Sequence, residues 1–335
     1  MNTSNGTNIV CMDESQTLNI PDNATKLVIE DGVRKINANI FPENDKIVTI
    51  KLPETVEIIS YAAFTRCRGL VSIDLPESIE EIHESAFEFC DLCSVHLPST
   101  IRSIEKNTFN GCTSLTSVKM SSCITCIADS AFQGCVSLKS MQYPSVSEDT
   151  KIDRQHTSLD LPSSLKVIAD GAFSGCYSIT SINLPPSICY VGIGIFHGCT
   201  SVVNTMIHSS IQNIDRYVVQ RILHCIVMES PKVAQTPCTE DNCLPLHLLL
   251  MYGKVQFYKD HIDSIIQAAP WAMSALDPTF KMYPFLLAAC TPKFNHEKGD
   301  MVDYFNNLSF DHLQQLETVY VLLCETPWLI YLLIS

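Results

Sequence analysis

The sequence predicts an α/β repeat solenoid, a right-handed coil of short strands and helical turns, followed by an all-α helical region. Three observations predict it. Six times a Phe is followed three residues later by a Cys, at Phe64/Cys67, Phe87/Cys90, Phe109/Cys112, Phe132/Cys135, Phe173/Cys176 and Phe196/Cys199, with the Phe 23, 22, 23, 41 and 23 residues apart. Within each period the other apolar residues fall in fixed columns around a Pro. After about residue 230 this ruler stops and a helix-like pattern begins. A period of this length marks units that bury their apolar faces only against their neighbours.

Aligned, the units read Leu-x-x-Ile-x-Leu-Pro-x-Ser-Ile-x-x-Ile-x-x-x-Ala-Phe-x-x-Cys. The Leu or Met before each turn lies 12 residues ahead of its Phe, as in Leu75/Phe87, Leu97/Phe109 and Met120/Phe132. Backwards, the ruler pairs Ile29 with Phe41; forwards, it pairs Ile207 with Val219, so atypical end units are expected there. The chain divides into an N-terminal cap or flexible segment (1–26), the solenoid (27–228, with a polar insertion about 144–160), a linker (229–240) and the helical region (241–335).

Alternation at Ile73 and Leu75 predicts a short strand with its apolar side inward, ended by Pro76, which cannot donate to a ladder. The Ile-x-x-Ile segment forms an opposite wall, and Ala-Phe enters a helical or turn segment whose Phe plugs the coil. Cys three residues on returns to the same face. Free Cys behaves as a small buried hydrophobe with a weak donor, which suits a ladder of stacked thiols; a disulfide ladder is the alternative. Two Cys-x-x-Cys pairs, Cys90/Cys93 and Cys123/Cys126, have zinc-site spacing, but they stand in four different columns and do not converge on one ion.

These residues resemble the BspA-type leucine-rich repeat. Asn110-Gly111-Cys112-Thr113-Ser114-Leu115 and Ser174-Gly175-Cys176-Tyr177-Ser178-Ile179 carry the resemblance, which runs from about 27 to 225. It implies a leucine-rich repeat solenoid and a role in protein–protein contact. The family also includes surface adhesins.

The helical region opens with Asp241-Asn242-Cys243-Leu244-Pro245-Leu246-His247-Leu248, which resembles the start of an ankyrin repeat. A second helix is expected over Ile262–Ala269, ending at Pro270-Trp271. Tyr283–Cys290 and Leu316–Cys324 echo the pattern before Pro327-Trp328. Departures are several, among them no Thr before Pro245 and no His after Pro284. The stretch Val319–Ile334 is very apolar, but Glu325 and Pro327 interrupt it short of a bilayer span.

With 46% hydrophobic and 17% charged residues, the chain has the composition of a folded protein with a large core. Its net charge of -14 argues against nucleic acid or an anionic membrane as partner. The start, Met1-Asn2-Thr3-Ser4, has no signal-peptide pattern, so a cytoplasmic location is expected, with the nucleus left open. No P-loop, dinucleotide-binding glycine pattern, nucleophile elbow or His-Glu-x-x-His occurs, so no catalytic residue, cofactor or metal is expected. His83, His96 and His197 fall in different columns, and His247 reads as a structural His.

The expected function is therefore a non-catalytic scaffold or adaptor that binds a protein partner. A secreted or surface adhesion protein is the alternative, and an enzyme with its site in the C-terminal helices is the second. A partner would read the outward strand positions. One outward column is a hydroxyl ladder: Thr49, Ser72, Ser94, Ser117, Ser140 and Ser181. The next, Lys51, Asp74, His96, Lys119, Gln142 and Asn183, varies from coil to coil and is the candidate binding face.

Overall fold

In the computed structural model, residues 24–41, 43–143, 158–207, 216–239, 242–252, 267–275 and 278 are described. They fall into two compact units, Met1–Val202 and Val203–Ser335.

The first unit is a β-solenoid of about seven turns, each with three walls and one Phe from Phe41 to Phe196. The front wall holds β1 (Lys26–Val28), β3 (Thr49–Lys51), β5 (Ser72–Asp74), β7 (Ser94–His96), β9 (Ser117–Lys119), β11 (Ser140–Gln142), β12 (Ser158–Asp160) and β14 (Ser181–Leu184). The back wall holds β2 (Lys35–Ile36), β4 (Ile58–Ile59), β6 (Glu81–Ile82), β8 (Ser103–Ile104), β10 (Cys126–Ile127), β13 (Val167–Ile168) and β15 (Tyr190–Val191). Pairing is parallel throughout. Front strands bury their middle residue (Ile50, Ile73, Val95, Val118, Met141) and turn its neighbours outward, as the period of two requires. The Leu-Pro corner joins front to back. Its Ser or Thr hydroxyl donates to a carbonyl of the preceding coil: Thr55 to Val33, Ser78 to Val56, Ser164 to Ile124 and Ser187 to Leu165, at 2.5–2.9 Å.

The Ala-Phe-x-x-Cys segments form the third wall as turns, which corrects the expectation of helical turns and of an α/β coil. The cause is a pair of left-handed residues four apart, flanking each Phe: Asn39 and Glu43, Ala62 and Arg66, Ser85 and Phe89, Asn107 and Gly111, Ser130 and Gly134, Gly171 and Gly175, Gly194 and Gly198. Positive φ breaks a helix, and the freed amides point sideways to the next coil. Phe64 N–H reaches Ala86 O at 2.9 Å, Phe87 reaches Thr108 at 3.0 Å, and Phe109 reaches Ala131 at 2.9 Å. At Gly111 a side chain is disfavoured twice, by φ +70 and by the Phe89 ring, which stands where a Cβ would go.

Inside this wall the seven Phe rings stack in one file, with centroids 5.1 Å apart at the Phe41 end and 5.7 Å at the Phe196 end. Planes stay within 3° to 14° of parallel. Phe41, the atypical first unit in the sequence, is a full member. The Cys column runs beside the rings, and its role is specific. Each thiol sits 3.0–3.3 Å from the carbonyl oxygen of the preceding coil's Phe: Cys67 on Phe41, Cys90 on Phe64, Cys112 on Phe87, Cys135 on Phe109, Cys176 on Phe132 and Cys199 on Phe173. A thiol there fills apolar space and donates to a carbonyl at once. Burial pushes the Cys67 thiol up to about 11 and the Cys112 thiol up to about 12. None of the described cysteines is joined to another.

Two steps of the coil are irregular. Between the Phe132 and Phe173 units the front wall gains an extra strand: β11 is followed by β12, and Met141 pairs with Leu159. β10 meanwhile pairs directly with β13 on the back wall, and the two rings stay 5.5 Å apart. The last residues of the expected polar insertion, 158–160, are thus a core-bearing strand; 144–157 lie outside the described residues.

The second irregular step joins the Phe87 and Phe109 units, 22 residues apart. The missing residue lies between Cys90 and Leu92, which Asp91 alone separates, where two residues separate Cys67 from Leu70 and Cys112 from Leu115. Here the front ladder is reduced to Cys93 N–H on Val71 O (3.0 Å), and β5 and β7 belong to separate sheets. The back ladder is open: β6 and β8 also lie in separate sheets. The rings again hold, at 5.5 Å and 4°.

In the second unit, β16 (Asn204–Ile207) precedes α1 (Arg216–Glu229), a 3-10 turn at Pro231–Gln235 and α2 (Pro245–Tyr252). Val219, which the ruler places in the Phe column, lies in α1, so the repeat gives way to a helix inside the expected 27–228 solenoid. α1 buries Ile222, Leu223, Ile226 and Val227. Buried His247 links the start of α2 to a later segment: Leu244 N–H donates to Nδ1 (3.4 Å), and Nε2 lies 3.0 Å from Ala275 O. That is the structural role read for it. Pro270-Trp271 opens a 3-10 turn at Pro270–Ser274. An all-α ankyrin-like array is not shown by these residues; Tyr283–Cys290 and Leu316–Cys324 lie outside them, as does most of Ile262–Ala269. No helix among the described residues is long and apolar enough to cross a membrane.

Candidate interaction surface

The front strands decide which side chains a partner could touch. Register places Lys51 beside Asp74, His96 beside Lys119, Lys119 beside Gln142, and Asp160 beside Asn183. The six expected residues therefore stand in one outward column, interrupted only where β5 and β7 part, between Asp74 and His96. All are exposed except Asn183, which is half-buried.

Asp160 is a seventh member that sequence reasoning missed. Its signal was the alternation Ser158-Leu159-Asp160, hidden at the end of a polar insertion. It organises a local network: Ser158 Oγ donates to Asp160 Oδ1 (2.8 Å), and the Asn183 amide donates to Ser158 Oγ (3.1 Å) and to Asp160 Oδ1. Half-buried Tyr143 stands near it. Desolvation, and to a lesser degree the Asp160 charge, push the phenol above its usual range. Ser158 itself is buried, unlike Ser72 and Ser94 of the hydroxyl column.

Beyond the front wall, the open step between β6 and β8 forms a groove of about 750 Å³ on the back wall. Glu80, Glu81, Glu84 and Glu105 line it, with Arg102, His83 and Tyr61. His83 Nε2 lies 2.8 Å from Glu81 Oε2. At its corner Ser99 donates its amide (2.8 Å) and hydroxyl (2.7 Å) to Glu77 Oε2, which holds that carboxyl below the usual range. Of the two Cys-x-x-Cys pairs, Cys90 is buried in the thiol column, Cys93 and Cys123 are exposed, and Cys126 is half-buried on β10. No group of three potential metal ligands occurs among the described residues.

Residues 34–155 and 153–234 match the model of the BspA type leucine rich repeat region. The chain belongs to the BspA-type leucine-rich repeat family. Family members are typically non-catalytic and mediate protein interaction. Among solved structures, the chain is similar to a leucine-rich repeat protein of T. pallidum, at 27% identity over 53% of this chain and 78% of that one, TM-score 0.45. It is also similar to a leucine-rich repeat protein of Eubacterium ventriosum (17% identity, 63% of this chain and 67% of that one, TM-score 0.37). A third similar structure is the pneumococcal vaccine antigen PcpA (15% identity, 58% of this chain and 64% of that one, TM-score 0.29). No curated protein matches the chain.

Proposed function

We propose that the chain is a non-catalytic scaffold that binds a protein partner through the outward column of its front wall. One observation carries the reading. Over a nearly invariant inward row of Ile, Val, Met and Leu, the seven outward positions Lys51, Asp74, His96, Lys119, Gln142, Asp160 and Asn183 change charge and shape at every coil. A uniform structural ladder repeats its residue; a surface that reads one partner does not. The thiol chemistry supports work in a reducing compartment, because the Cys column is spent on carbonyls of neighbouring coils and none of its described members is in a disulfide. The Leu244–Leu248 helix start, with its bridging His247, supports an ankyrin-like element in the second unit.

The test is affinity capture with the full chain in three forms: wild type, Lys51→Glu with Lys119→Glu on the front wall, and Lys106→Glu with Lys166→Glu elsewhere on the coil. The same charge change is made in both variants. A partner retained by wild type and by the second variant but lost by the first supports the reading. Loss by both, or by neither, overturns it.

A further inference from the structure

The back-wall groove lies on a different surface from the front column and arises from a different cause. At every other step of the back wall, amides of one strand segment donate to carbonyls of the previous coil. Glu57 and Ser60 reach Arg34 and Ile36; Glu80 and His83 reach Glu57 and Ile59; Thr125 and Ala128 reach Arg102 and Ile104. Lys166 and Ala169 reach Thr125 and Ile127, and Cys189 and Gly192 reach Lys166 and Ile168. At the β6/β8 step the corresponding donors are Arg102, Ser103 and Glu105, and the corresponding acceptors are the carbonyls of Glu80 and Ile82. None of these bonds is made. Two strand edges therefore face one groove with their hydrogen-bonding groups unpaired. Such edges are templates for another strand.

The fold itself shows that a strand can enter one wall in this way. At the other irregular step β12 adds to the front ladder, while the back wall and the Phe file keep their spacing, the rings 5.5 Å apart. At the β6/β8 step the Phe file keeps the same 5.5 Å while a wall opens, and no segment of the described chain fills it. The groove also states the charge of its occupant. Glu80, Glu81, Glu84 and Glu105 face it against Arg102, and His83 is engaged by Glu81.

We propose that this groove binds an extended peptide segment carrying Lys or Arg, by strand addition to the open edges of β6 and β8. The peptide backbone takes up the carbonyls of Glu80 and Ile82 and the amides of Ser103 and Glu105, and its basic side chains meet the four glutamates. The front column is not involved, so this site stands or falls separately from the scaffold reading.

The probe is a fluorescein-labelled ten-residue peptide of alternating lysine and valine, blocked at both ends, titrated against the full chain by anisotropy. Two companion peptides are used: one N-methylated at four consecutive central residues, and one with glutamate for lysine. Hydrogen exchange of the complex reads where it binds. The expected result is saturable binding of the lysine peptide with new protection at Ser103 and Glu105. The N-methylated peptide and the glutamate peptide should bind at least tenfold more weakly. The variant Glu80→Lys with Glu105→Lys should weaken the lysine peptide at least tenfold, with unchanged circular dichroism. Absence of binding by wild type overturns the proposal. So does equal binding of the N-methylated peptide, which would mean charge attraction alone, or protection appearing on the front strands instead.

Discussion

Replacing Phe109 separates the two things its ring does. The side chain is fully buried, with rings at 5.5 Å and 4° on one side and 5.4 Å and 8° on the other. Truncation of a buried Phe to Ala costs about 3–5 kcal/mol. Each offset aromatic pair is worth about 0.5–1.5 kcal/mol beyond burial, so losing two removes roughly 1–3 kcal/mol. Phe109→Leu keeps most of the apolar volume and loses both pairs, so it should cost about that second amount. Phe196→Leu breaks only the one pair described for it, with Phe173, and should lose about half as much stacking. Lys119→Ala, on the exposed front column, should change stability by less than about 0.5 kcal/mol. Urea unfolding followed by circular dichroism, with the slope checked for constancy, measures all of these. If Phe109→Leu costs no more than Phe196→Leu, the file of rings is not a cooperative element. If Phe109→Ala and Lys119→Ala cost the same, the register of the whole coil is wrong.

The buried thiols make stability fall at high pH. Their ionisation is resisted in the folded state, up to about 11 for Cys67 and about 12 for Cys112, against 9.0 for an unperturbed thiol. Their contribution is therefore complete below pH 9 and is lost as pH rises through the folded values, so the urea midpoint should drop between pH 8 and pH 10.5; a flat profile would sink the thiol assignment. Native alkylation at pH 8 should label exposed Cys93, Cys123 and Cys189 while sparing Cys90, Cys112 and Cys135, and labelling of the latter before unfolding would contradict their burial. Inserting one serine between Asp91 and Leu92 restores the 23-residue period and should pair β6 with β8, which hydrogen exchange would report as slowed amides at Ser103 and Glu105; unchanged exchange would show that the short link is not the cause of the open ladder. Ser60 Oγ is buried with no partner, and of the equivalent positions on later coils (His83, Glu105, Ala128, Ala169 and Gly192) two already carry Ala, so Ser60→Ala should raise stability by about 1 kcal/mol, and a loss of stability would refute that.

Much of the coil was legible because its constraints recur. Phe at a fixed offset, Cys beside it and the Ser after each Pro each answer the same packing or hydrogen-bonding need at every turn. The left-handed residues were harder to see. They announce themselves as Gly only from Gly111 onwards, whereas Arg66 and Phe89 occupy the same position under strain. Without that cue, Ala-Phe-x-x-Cys spacing fits a helix as well as a turn. β12 escaped notice because Leu159 is a single inward residue between polar neighbours, and only its pairing with Met141 reveals it. The spacing of 22 was visible, but its consequence appears only in hydrogen bonds not made. Beyond the coil no repeated constraint exists to read, and Val219 shows how the ruler runs on after its physical cause has ended.

The continuous third wall has a further consequence. Its amides and rings bind each coil to the next without help from the other two sides, so an error of chain length on the front or back stays local. The front wall has absorbed an additional strand, and the link from the rings to the front wall has lost a residue, and neither defect has spread to the neighbouring turn. A molecule built on such a spine can change length at its surfaces coil by coil. New segments grafted at the Leu-Pro corners should be accepted there, while the same insertions within the Phe-x-x-Cys turns are not.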